Sequence, residues 1–183
     1  MSWGKARALA LRLLAIVALG ALTAGCFQPM YAESTVAGVP ALRDKLAGVD
    51  VADVKTRPSD ARLGVNVKNS LMFAMYGNAT GSSPTHRLDI RLNTSRTSII
   101  VDVTTARPDI ENYGIDATYT LREIATDKVV VTGSTFARVS YDIPGQEQRF
   151  ARARGLRDAE DRATQEIADK IGQRLASYFV AGT

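Results

Sequence analysis

One cysteine and one histidine in 183 residues remove whole classes of chemistry. Cys26 has no partner within the chain, so no internal disulfide forms. Zinc sites need clusters of Cys and His, and no ligand set of that kind exists. A nucleophile–histidine–acid arrangement would have to use His86 as its base. That residue heads a strand-like run after Pro84-Thr85, where a surface or strand-edge role is the simpler reading. The motifs G-x-S-x-G, H-E-x-x-H, G-x-G-x-x-G and G-x-x-x-x-G-K-[ST] are all missing, so no hydrolase elbow, metalloprotease helix or phosphate-cradling loop is signalled. The chain therefore reads as a non-enzyme with no metal and no organic cofactor. Net charge is also scarce where it would matter. The formal charge is +4, but Lys5, Arg7 and Arg12 all precede Cys26 with no acid among them. The remainder is nearly neutral, which removes the electrostatic support for nucleic-acid binding. After Leu22 no apolar stretch reaches the roughly 20 residues a membrane span needs.

What is present begins at the N-terminus. A basic start, a short apolar centre from Leu13 to Leu22 and the small residues Ala24-Gly25 make a secretory signal peptide. Leu22-Thr23-Ala24-Gly25-Cys26 resembles a bacterial lipoprotein signal. The alternative is an ordinary signal peptide with an incidental cysteine. The lipoprotein reading implies removal of residues 1–25 and acylation of Cys26 by fatty chains such as palmitate, the only covalent lipid or cofactor expected. Each buried CH2 contributes about 0.8 kcal/mol, so two or more chains anchor stably. By resemblance to the sorting of such lipoproteins, Phe27 rather than Asp after the cysteine implies the outer membrane.

The mature chain divides into a lipidated tether over 26–47, with a short strand near Phe27–Tyr31, and a single domain over 48–183. Leu42–Leu46 suits one helical turn, and Val49-Asp-Val51-Ala-Asp-Val54 suits a strand at about 48–56. Leu63, Val67, Leu71 and Met75 form one apolar stripe of a helix from about Asp60 to Tyr76, with Ser59 or Asp60 as N-cap and Gly77-Asn78 as its stop. Three long strand-like runs follow. The apolar parity of the first changes from Leu88, Ile90 and Leu92 to Ile99, Val101 and Val103, which predicts a β-bulge near 95–100. Tyr113, Ile115, Ala117, Tyr119 and Leu121 give the second. Val129, Val131, Thr135, Ala137, Val139 and Tyr141 give the third. Arg107-Pro108-Asp109 is expected to mark the first turn and Thr126-Asp127 the second. Leu156, Ala159, Ala163, Ile167, Ile171, Leu175 and Tyr178 keep a helical period to the end. Gly155 is its expected break or start, and Asp158, Glu160 and Asp161 are expected to complement the dipole of its first turns. The predicted architecture is α+β: an antiparallel or mixed sheet of about four strands, with two helices on one face and polar residues on the other.

Two stretches carry a family resemblance. One is Gly25-Cys26-Phe27-Gln28-Pro29-Met30-Tyr31, with one residue fewer before Phe27 than family members have. The other is Phe150-Ala-Arg-Ala-Arg-Gly-Leu-Arg-Asp-Ala-Glu-Asp-Arg-Ala163 with Leu175-Ala-Ser-Tyr-Phe179. With the strand–helix–meander–helix order, they make the chain similar to the LptE family of lipopolysaccharide-assembly lipoproteins. The resemblance implies a lipoprotein that plugs the lumen of the outer-membrane barrel LptD and helps move lipopolysaccharide to the outer leaflet. It also associates lipopolysaccharide binding with basic residues in two regions, here Arg107 and the run Arg149, Arg152 and Arg154. Arginine suits lipid A phosphates because it pairs bidentately. For Arg107 the plainer alternative is a solvated turn residue, and for the run a solvated charge cluster flanking a helix. A second functional reading stays open: a free-standing, periplasm-facing lipoprotein that binds a small ligand or serves a transporter.

Overall fold

The computed structural model describes residues 42–77, 83–102, 107–143 and 149–181. Cys26, the motif around it and the expected strand at 27–31 lie outside the described residues. In chain order the elements are helix α1 (Leu42–Ala47), strand β1 (Val49–Val51), helix α2 (Ala61–Tyr76), strands β2 (His86–Asp102), β3 (Arg107–Glu123) and β4 (Val129–Asp142), and helix α3 (Arg149–Ala181). The sheet order is β1-β2-β3-β4. β1 runs parallel to β2, and the three long strands form an antiparallel meander. This is the expected mixed α+β sheet.

The hydrophobic pattern sets the layers. Leu88, Ile90 and Leu92 of β2, Tyr113, Ile115 and Leu121 of β3, and Ala137 and Val139 of β4 share one core with Val67 and Leu71 of α2 and Ile167, Ile171 and Leu175 of α3. Alternation puts these strand residues on a single sheet face, so both long helices cover that face. The three large α3 side chains are completely buried, each stabilising by about 1.5–3 kcal/mol. Leu46 is also in the core, and the Lys45 ammonium donates to the Phe179 carbonyl at 3.2 Å. Residues 42–47, assigned to the tether by sequence, are therefore built into the folded unit. The opposite sheet face carries Asp116, Thr118, Thr132 and Ser134 in contact with solvent.

Several boundaries differ from expectation. The strand expected over 48–56 shortens to β1, after which the chain follows β2 loosely, with the Lys55 N–H donating to Ile90 and the Leu92 N–H to Lys55. Helix α2 is entered through a 3-10 turn at Pro58–Asp60, and Asp60 occupies the N-cap position without a capping hydrogen bond. Its carboxylate instead accepts from Thr94, Arg57 and Ser59. Burial works to raise its pKa, but these hydrogen bonds outweigh burial and hold it below the ordinary carboxylate value. Gly77 ends α2 as expected, at φ +58°, with its N–H on the Phe73 carbonyl.

The expected bulge appears as register shifts between Ser98 and Val101. Arg107-Pro108-Asp109, expected as a turn, is the start of β3, with Asp102 opposite Arg107 and Val101 opposite Pro108. The reason lies in strand length. β4 ends at Asp142 opposite Ile110, so among the described residues β3 before Ile110 has a strand neighbour on one side only, and proline is tolerated at such an edge. The second turn falls where expected, with Asp127 at φ +53°. Just beyond it Leu121 faces Val131 but Arg122 faces Val129. The skipped Val130 packs on the core, while Val129 is exposed despite its parity.

Helix α3 starts at Arg149, before the expected start at Gly155. Alanine and arginine are strong helix formers, and one interior glycine costs only about 1 kcal/mol against alanine. The acidic residues are consequently several turns inside the helix and owe their positions to ion pairs. Arg62 of α2 bonds Glu160 and, at 3.1 Å, Asp161, while Arg162 pairs with Asp158 at 2.8 Å. Side chains from the helices also cover edge carbonyls of the sheet. Lys170 donates to Phe136 at 2.7 Å and Arg162 to Ser140 at 3.4 Å on β4. The Tyr76 hydroxyl donates to Val49 on β1. Such cover discourages edge-to-edge pairing.

Candidate binding surface at the basic end of the long helix

The first buried residue of α3 is Ala159, and residues 150–154, 157 and 158 are exposed. The start of the helix therefore overhangs the core. Phe150, Arg154 and Arg157 recur at i, i+4 and i+7, which places them on one helix face. Phe150 is 91% exposed. Together with Ala151 and Ala153 they line an open groove of about 570 Å³. Arg152 is offset by two residues from Arg154 and meets the sheet instead, 3.5 Å from Oε1 of Glu111 on β3.

Glu111 is the hinge between sheet and helix here. Its Oε2 accepts the Tyr141 hydroxyl from β4, and its side chain is only 13% exposed. The Tyr141 phenol is pushed up to about 12, first by burial and then by the hydrogen bond and charge of Glu111. Arg96 and Arg152 oppose that rise. The end of β4 supports the helix directly: at Gly155 a Cβ would sit 3.5 Å from the Asp142 carbonyl and the Tyr141 ring.

The sequence-predicted arginines thus fall in three places. Arg152 and Arg154 are in the first turns of α3, not in a run before it, and point different ways, Arg152 to Glu111 and Arg154 into the groove. Arg149 is the first residue of the same helix. Arg107 opens β3 and is not a loop residue. It lies four residues before Glu111, about 13 Å along the strand at 3.3 Å per residue. Sequence reasoning missed Glu111, Tyr141, Arg157 and Phe150 as neighbours. Arg157 and Phe150 were legible from helical spacing once the helix was extended. Nothing local marks Glu111, because its role depends on cross-strand register. Among the described residues no group of His, Cys, Asp and Glu is placed to hold a metal. No described helix is long and apolar enough to cross a membrane.

A four-stranded sheet covered on one face by helices is a fold that recurs in solved structures of bacterial lipoproteins. The chain superposes on a Caulobacter crescentus lipoprotein at TM-score 0.59 with 19% identity, covering 78% of this chain and 97% of that one. For rare lipoprotein B from Shewanella oneidensis the values are 0.53 and 14%, covering 72% and 98%. For protein XCC0632 from Xanthomonas campestris they are 0.52 and 11%, covering 74% and 87%. At these identities the likeness establishes the fold. No curated protein matches the chain. The family model described as LptE, lipopolysaccharide-assembly, matches residues 40–175, and the chain belongs to that family. Its role accordingly lies in lipopolysaccharide assembly.

Proposed function

We propose that the chain is an outer-membrane lipoprotein, anchored through lipid on Cys26, that plugs and supports an LptD-like β-barrel during lipopolysaccharide assembly. The family match over residues 40–175 carries this reading. The surfaces agree with it. A plug in a hydrophilic lumen needs polar outer faces, and apart from Phe136 the solvent face of the sheet is polar, as is the back of α3. The overhanging start of α3 gives the lipopolysaccharide contact. Arg154 and Arg157 beside Phe150 offer guanidinium groups to lipid A phosphates and an aromatic ring to the neighbouring acyl region. Arg152 stands at the same helix start, against Glu111.

The test is capture of the tagged, lipidated protein from detergent-solubilised outer membrane, followed by identification of what accompanies it. A large β-barrel should co-purify in near-stoichiometric amount. Recovery of soluble periplasmic proteins alone, or of an inner-membrane transporter, would replace the plug with the free-standing accessory role.

A further inference from the structure

We propose that Glu111 is a latch on the arginine end: it holds Arg152 against the sheet, and a phosphate-bearing ligand engages by drawing Arg152 off that carboxylate. This deepens the reading of the helix start as a lipid A phosphate contact and depends on it.

The asymmetry of the pair decides which partner moves. Glu111 sits on the central strand β3, and its second oxygen is occupied by the Tyr141 hydroxyl, so the carboxylate is fixed. Arg152 is on the exposed overhang of α3, with its side chain 55% exposed against 13% for Glu111. Their separation of 3.5 Å is within ion-pair range but longer than the 2.7–2.9 Å of a well-formed charge-assisted hydrogen bond. Arg152 therefore keeps donors free toward solvent. These donors lie on the side of α3 away from the groove of Phe150, Arg154 and Arg157, so a ligand meets both only if it carries a second phosphate and wraps the exposed helix start. The pair is lopsided, with Arg152 in water and Glu111 nearly buried, and after release the Tyr141 hydroxyl still holds the Glu111 carboxylate. Until release, the nearby negative charge of Glu111 opposes any anion at Arg152, so weakly charged ligands gain nothing from that arginine. The latch makes the site selective for a strong, multiply charged anion.

The experiment uses the full lipidated protein in detergent with purified lipopolysaccharide, and phosphatase-treated lipopolysaccharide as the reference ligand. Glu111→Gln keeps an acceptor for Tyr141 and removes the charge. It should tighten binding about two- to fivefold, the size of an exposed ion pair, with an unchanged melting temperature. Arg152→Gln should weaken binding more in the Glu111→Gln background than in the native protein. Asp142→Asn removes an acid at the same end without touching Arg152 and should leave affinity unchanged. Should Glu111→Gln fold poorly, Tyr141→Phe is the second route: it leaves the carboxylate with Arg152 as its remaining partner and should weaken binding. Equal gains from Asp142→Asn and Glu111→Gln would reduce the effect to bulk charge and overturn the latch. So would an Arg152→Gln loss independent of residue 111. If neither Arg152→Gln nor Arg154→Gln affects binding to either ligand, the phosphate-contact reading itself fails. A loss with Arg154→Gln alone preserves that reading and removes the latch.

Discussion

Gly133→Ala should destabilise the domain, although glycine is a poor strand residue. Gly133 faces Tyr119 across the β3–β4 ladder, and the Tyr119 ring lies over it. A Cβ at position 133 would stand 2.5 Å from the Tyr119 hydroxyl oxygen, 2.6 Å from Cζ and 3.1 Å from Cε2. Carbon atoms prefer about 3.5–4.0 Å, so the ring must retreat by about 1 Å. Tyr119 is only 6% exposed, and its surroundings are packed. Overpacking of this kind costs about 1–3 kcal/mol. Against it, alanine reduces the entropy of the unfolded chain and stabilises by about 0.4–1 kcal/mol. The steric cost wins, leaving a net loss of about 0.5–2 kcal/mol, or a fall of several degrees in melting temperature. Urea denaturation followed by circular dichroism measures this directly. Tyr119→Leu shortens the covering side chain, so its combination with Gly133→Ala should lose less than the two single losses added together. A Gly133→Ala protein as stable as the native one, or strict additivity in the double variant, would refute the seating of the ring over the glycine.

Cys26→Ala should move the protein from the membrane fraction to the soluble periplasmic fraction while leaving its melting temperature unchanged; unfolding of that variant would make the N-terminal segment part of the core. Tyr113 and Tyr141 are both raised to about 12, in each case first by burial. Their neutral forms favour the native state, so the stability they contribute is intact below pH 10 and is lost as pH rises from about 10 to about 12. Absorbance titration at 295 nm should show two tyrosines ionising late, and ionisation of all tyrosines together near pH 10 in the folded protein would contradict the burial.

The periodic parts of the chain were legible because burial there is decided by spacing alone. The stripe Leu63, Val67, Leu71 and Met75, the β3 alternation and the α3 run from Ala159 to Leu175 all reach the core as read. The parity change in β2 announced its irregularity. The misreadings share a cause: each depended on how far a neighbouring element extends. Pro108 signals a turn in isolation, yet it pairs with Val101 because β4 stops short of it. Arg149–Arg154 has no apolar period, so its helicity was invisible to pattern reading. Asp60 has the right identity and position for a cap, but Thr94 on β2 competes for its carboxylate. Arg152 was flagged by charge, whereas its partner Glu111 looked like any polar strand residue.

The overhang of α3 follows from the way helices grow. Helix formation is costly to start and cheap to extend. The buried stripe from Ala159 to Phe179 supplies the nucleus, Leu156 and Gly155 add a last contact with the core and β4, and propagation then carries the helix outward through Arg149–Arg154 with little help from packing. Those residues contribute little to the core, so their side chains can change without endangering the fold. The start of α3 is therefore where a lipoprotein of this architecture can acquire a new ligand at small cost in stability, and here it carries arginines with an exposed phenylalanine. By contrast, the sheet-facing carboxylate of Glu111 is tied to Tyr141 and to the β3–β4 register. Substitutions on the overhang should shift binding and leave stability alone, whereas loss of the Glu111 side chain reaches both, since it frees Arg152 and leaves the Tyr141 hydroxyl without its acceptor.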